Sequence, residues 1–124
     1  MIGTQGLTHI HLMVRDLDRS LTFYKRVFGL EERFREGPHM VFLSTPGSQD
    51  LITLNEDPRE GEVAGLNGGV NHFGFRLQDV SGLDAAVKEI EAAGGRLIKR
   101  GEHAPGVPFA YVRDPDGYLI ELLP

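Results

Sequence analysis

The chain has 124 residues, enough for one domain with a real hydrophobic interior, and its 13 Lys and Arg against 18 Asp and Glu leave a formal net charge of −5. It contains no cysteine, which excludes disulfides, thiolate metal sites and cysteine nucleophiles and makes a reducing cytoplasm the expected compartment. No run of like charges stands out, no eighteen apolar residues run together, and MIGTQGLTHIH has no basic stretch followed by an apolar one, so the expectation is a soluble, unprocessed protein with neither nucleic-acid nor membrane partners.

Residues 7–14 (LTHIHLMV) alternate in polarity and predict a strand, and residues 18–28, with Leu17, Leu21, Tyr24 and Phe28 at helical spacing, predict a helix closed by Gly29. A short strand near 32–35 follows, and MVFLSTP and DLITLN then read as a hairpin-like pair around a Pro-Gly turn. The Gly-rich stretch NEDPREGEVAGLNGG has no periodicity and the composition of a linker. After it the pattern restarts with the strand VNHFGFRL. A helix striped by Leu83, Val87 and Ile90 comes next, with Ser81 and Asp84 as a capping box and Gly94-Gly95 as its stop. RLIKR, PFAYVRD and YLIELL supply three further strands.

Each half therefore reads βαβββ, and the halves align residue by residue. LTHIHLMVRDL matches VNHFGFRLQDV with His9 over His72, and TPGSQDLITL matches DPDGYLIEL with Thr53 over Glu121 after one gap. A repeat present only twice is no solenoid. It implies an α+β fold of two modules, 5–57 and 68–124, joined by a linker at 56–69 and related by a pseudo-twofold axis within one 124-residue domain.

Side chains alternate faces along a strand. Ile10, Leu12 and Val14 share one face of the first strand, and His9, His11 and Met13 share the other; in the last strand Ile120 and Leu122 oppose Leu119, Glu121 and Leu123. The apolar faces are expected to pack on the helices. Half-buried strands also have a solvated face where histidine and glutamate need carry no chemistry. Two features set His9, His72 and Glu121 apart: the repeat puts both histidines at one equivalent position, and Glu121 sits among apolar neighbours, where an unpaired carboxylate would cost several kcal/mol. Two imidazoles and one carboxylate form a facial set that holds a divalent ion and leaves other positions open.

THIHLMVRDLDRSLTFYKRVFGL, VNHFGF and DPDGYLIEL resemble the vicinal oxygen chelate superfamily of glyoxalases, extradiol dioxygenases and fosfomycin- and bleomycin-resistance proteins. The resemblance implies two βαβββ modules forming an open, cupped mixed β-barrel, often completed by homodimerisation, around a metal held by His9, His72 and Glu121. A glyoxalase of this kind would need carboxylates at both Thr53 and Glu121, and a threonine hydroxyl neither binds a hard cation well nor takes a carbon-bound proton. Methylmalonyl-CoA epimerase-like chemistry is disfavoured in the same way, since it also needs carboxylate bases in this cup. Tyr111 stands where extradiol enzymes and fosfomycin transferases keep a substrate-contacting tyrosine, although a strand tyrosine needs no such role. His11, two residues from His9, either orients substrate and moves a proton or is a solvated strand residue. His39 and His103 lie in or beside Pro- and Gly-containing loops (GPH, HAPG); each could line the mouth of the cup, although loop histidines are more often simply exposed. Fosfomycin transferases carry basic residues beyond the last glutamate to hold the phosphonate; with Pro124 three residues after Glu121 the expectation is that this clamp is lacking, and Lys99, Arg100 or Arg113 could substitute only by accident of geometry.

The expected protein is a homodimeric enzyme dependent on Fe(II) or Mn(II), with Zn(II) or Ni(II) as alternatives, performing dioxygenase-like chemistry on a small metal-chelating substrate. Tyr111 and His11 are its candidate acid-base groups, and Thr53, Arg76, Met13 and Phe109 its candidate substrate contacts. A thiol transferase, a glyoxalase-type lyase or isomerase, and a metal-free drug-sequestering protein are the competing readings.

Overall fold

The computed structural model describes residues 1–3, 5–59, 63–65 and 70–123; residues 60–62 and 66–69 of the expected linker lie outside them. In chain order the elements are β1 (Ile10–Val14), α1 (Leu17–Phe28), β2 (Glu31–Arg35), β3 (Met40–Ser44), β4 (Ile52–Glu56), β5 (Phe73–Arg76), α2 (Leu83–Ala92), β6 (Arg96–Ala104), β7 (Val107–Arg113) and β8 (Leu119–Leu123). They form two open four-stranded mixed sheets of identical order, β1-β4-β3-β2 and β5-β8-β7-β6. The first strand of each module lies parallel to its last, with His11 opposite Thr53 and Gly74 opposite Glu121. The repeat seen in the sequence is thus a repeat of register, and His9 and His72 each stand two residues before the partner of Thr53 or Glu121.

Local chemistry sets the element ends. Asp16 caps α1 by accepting from the Arg19 amide, and Gly29 closes it in the left-handed region at φ 62°, where a glycine has no Cβ to clash. The second helix is capped differently from the expected Ser81 box. Asp79 accepts from both the amide and the hydroxyl of Ser81 and winds a 3-10 turn over Val80–Gly82, so the Ser81 hydroxyl is a donor and α2 begins without a side-chain cap. β1 starts at Ile10 rather than Leu7, which leaves His9 just ahead of the strand.

The apolar faces do pack on the helices. Val14, Leu54, Val41 and Leu43 of the first sheet and Val112, Ile120 and Leu122 of the second join Phe23, Tyr24, Val87 and Ile90 of the helices in one continuous buried core. Each such side chain contributes about 1.5–3 kcal/mol. A polar joint locks the modules together beside it. The carboxylate of Asp116, in the turn before β8, accepts from the Arg15 amide, the Arg19 guanidinium and the Ser20 hydroxyl at 3.1, 2.9 and 3.0 Å. Its neighbour Asp114 accepts from Tyr24 at 2.7 Å and from the amides of Asp116, Gly117 and Tyr118. Phe28 of α1 stacks on Phe75 of β5 at 4.0 Å. The joint ties α1 and Arg15 just ahead of it to β5 and to the turn before β8.

Candidate functional site

The face of the second sheet turned away from the helices carries Gly74, Glu121, Tyr111 and Lys99 in one row across β5, β8, β7 and β6. Glu121 is buried, 8% exposed. Its two oxygens have different partners: Oε2 meets His72 Nε2 at 3.1 Å and Oε1 meets His103 Nε2 at 2.5 Å. Burial alone would push this carboxyl upward, but the hydrogen bonds and charge of the two imidazoles outweigh it and hold the pKa below the ordinary glutamate value. Tyr111 packs its ring edge-on against His72, with centroids 5.0 Å apart. Its hydroxyl pKa is raised, by burial first and then by the charge of Glu121, so it stays protonated and is a donor at neutral pH.

The equivalent row of the first sheet is His11, Thr53 and Phe42. It is chemically different. Thr53 is fully buried and its hydroxyl has no hydrogen-bond partner among the described residues, while His11 is exposed and pairs with the Asn55 amide at 3.1 Å. Met13 is half-buried, and its backbone carbonyl accepts from Tyr118 at 2.7 Å.

His9 does not stand with Glu121. It is exposed, its Nδ1 lies 2.8 Å from the Thr8 hydroxyl, and it lines a cavity of about 390 Å³ at the seam between the modules, together with Ile10, Leu51, Phe73, Gly74 and Arg76. Among the described residues no three His, Asp or Glu side chains are grouped so as to hold one ion. The structure thus brings together His72, Glu121, Tyr111 and Phe109, sets His11 and Thr53 in the other sheet, and places His9 and Arg76 on the seam.

His103, which the sequence offered only as a loop histidine at the mouth of the cup or in solvent, stands on a strand and meets Glu121. β6 runs on through Ala104 instead of stopping at Arg100, so the alternation Lys99, Gly101, His103 continues on the face of Tyr111 and Glu121. Its signal was the period of two, interrupted to the eye by the Ala-Pro-Gly that follows.

The donor chemistry of this corner fits a divalent ion. His72 Nε2 and Glu121 Oε2 are 3.1 Å apart, close to the ~3 Å between neighbouring donors that each lie about 2.1 Å from an octahedral ion. His72 Nδ1 contacts the side-chain oxygen of Asn71 at 2.7 Å, a second hydrogen bond that fixes the orientation of the ring.

The fold and this corner define a class. The family model of the glyoxalase/bleomycin resistance protein/dioxygenase superfamily matches residues 6–122, and the chain belongs to that superfamily. It is 32% identical to a lactoylglutathione lyase from Arabidopsis thaliana over 93% of this chain and 42% of that protein. It is 33% identical to a catechol-2,3-dioxygenase from Bacillus subtilis over 93% of this chain and 41% of that one, so it spans about two fifths of both curated relatives' length. Among solved structures it is similar to a point mutant of the fosfomycin resistance protein FosX from Listeria monocytogenes, complexed with Mn(II) and a dihydroxypropylphosphonic acid. There the TM-score is 0.78 at 26% identity, covering 98% of this chain and 90% of that one.

Proposed function

We propose that this protein is a divalent-metal-dependent enzyme acting on a small metal-chelating substrate, with His72 and Glu121 as two of its ligands and Fe(II) or Mn(II) as the favoured ion. The observation that carries the reading is a carboxylate only 8% exposed that is surrounded by imidazole and phenol on the open face of a sheet. A bound ion would supply Lewis acidity to two substrate oxygens and, if redox-active, a site for O2. Tyr111, protonated and beside Glu121, donates a hydrogen bond to a substrate oxygen as negative charge develops there. Phe109, 6% exposed, walls the site with an aromatic face. His9 is the third ligand in this reading and arrives from the first module of a second copy, because within one chain it lies on the seam rather than beside Glu121. A homodimer is therefore part of the proposal.

Dioxygenation of a catechol-like substrate is the first activity to test. Lyase chemistry of the lactoylglutathione type needs a second carboxylate at the position of Thr53, where this chain has a buried neutral hydroxyl. A thiol transfer to an anionic substrate is the second reading, favoured by one observation: Lys99 faces Tyr111 across the strand pair. Arg100 is tied to Asp84 at 2.5 Å and Arg113 to the Gly117 carbonyl at 2.6 Å, so neither adds to it.

The test is metal analysis of untagged protein with a catechol and thiol-adduct panel. Stoichiometric Fe or Mn, lost in His72→Ala, is the expected result. Absence of any stoichiometric ion, together with wild-type metal response in His72→Ala, refutes it and leaves a metal-free binding protein.

A further inference from the structure

The strand pair that carries His103 is built to aim it. β6 and β7 pair one to one from Lys99 with Tyr111 to Glu102 with Pro108; the register then shifts so that Ala104 faces Val107 and His103 is the extra residue of a bulge. A bulge bends its strand and re-aims the side chain it carries. The His103 ring stacks on Phe109 at 4.2 Å and 18°. Phe109 is held in turn by Tyr111 at 5.4 Å and by Gly101, where an added Cβ would come within 2.9 Å of the ring. Thus fixed, His103 reaches Oε1 of Glu121 and leaves Oε2 to His72.

We propose that His103 is a positioning residue that engages Oε1 of Glu121, so that the carboxylate offers a single oxygen, Oε2, to an ion shared with His72. The inference rests on the metal-site reading above. A carboxylate with two free oxygens can grip an ion through both and occupy an extra coordination position; one whose second oxygen is hydrogen-bonded is held as a one-oxygen ligand, and a position stays open for substrate. Partners of this kind typically change metal affinity by about 10–100-fold.

The experiment compares His103→Ala and His103→Gln with His72→Ala and Glu121→Gln, by Mn(II) titration, electron paramagnetic resonance of the bound Mn(II), and melting temperature. His103→Ala is expected to keep the Mn(II) stoichiometry, to change its affinity by ~10–100-fold and to give an altered spectrum. His103→Gln, whose amide N–H stands where Nε2–H did, should restore both affinity and spectrum. Wild-type affinity and spectrum in His103→Ala overturn the proposal. So does complete loss of Mn(II) in both His103 variants at unchanged melting temperature, which would make His103 a ligand. Unchanged binding in His72→Ala and Glu121→Gln overturns the underlying metal-site reading instead. His103 retains 47% side-chain exposure, so replacing it removes little packing, and the glutamine variant reads out the hydrogen bond independently of the ring.

Discussion

Replacing Thr53 by valine should stabilise the protein. The Thr53 hydroxyl is fully buried and has no hydrogen-bond partner among the described residues, and a buried hydroxyl without a partner forfeits about 1–3 kcal/mol of solvation. Valine has nearly the same shape, so the change opens no cavity and forces no overpacking. It also buries a methyl group, worth up to ~0.8 kcal/mol. A conservative expectation is about 1–2 kcal/mol of added stability. With an unfolding entropy of ~2.1 cal/mol/K per residue, that raises the melting temperature of a chain this size by about 4–8 °C. Paired urea and thermal denaturation of metal-free protein measure it, with an unchanged m-value as the sign that only stability has moved. A melting temperature lowered by 2 °C or more would refute the reasoning, because it would mean that the hydroxyl makes a stabilising bond in the folded chain.

Thr53→Glu should act in the opposite direction: a carboxylate at a fully buried position without a cation costs several kcal/mol, and circular-dichroism melts of the metal-free variant should fall well below wild type. Asp116→Ala should cost about 2–4 kcal/mol in urea denaturation, less than the ~3–5 of a wholly buried pair, because Arg15 and Arg19 are 46% and 44% exposed and can turn to water; a cost under ~0.5 kcal/mol, the size of an ordinary surface change, would rule out the joint as a structural lock. Asp114 carries a pKa raised chiefly by burial, so the stability it contributes is present below the unfolded value of about 3.9 and is lost as pH rises through the folded value. Asp114→Asn should therefore gain on wild type between pH 4 and pH 7. A stability difference that is flat over that range counts against it. Glu121, whose pKa is lowered in the fold, runs the other way and loses its contribution as pH falls, but it is common to both proteins and cancels in the difference.

Much of this architecture is carried by local pattern. The period-two alternation of IHLMV, ITLNE and LIELL determines which face packs on helices, since a strand can bury only one set of alternate side chains against them. Asp16 and Gly29 bound α1 through chemistry available in any context. The equivalence of Thr53 and Glu121 was also legible, because a duplicated register places duplicated positions alike. Ser81 was misleading for a local reason: a carboxylate two residues earlier draws its hydroxyl away from the helix.

What sequence by itself determined about this protein is the set of faces: two βαβββ modules, an apolar side for the helices, and a polar side with His72, Tyr111 and Glu121 on one sheet and Thr53 on the other. Only the tertiary structure decided which polar groups meet. That His103 reaches Glu121 depends on a bulge across a strand pair, and His9 comes to line a seam with Phe73, Gly74 and Arg76 of the second module only because the two modules pack together. Alternation orders side chains along a strand, whereas the distance between two strands far apart in sequence is set by packing between modules, which no local pattern encodes.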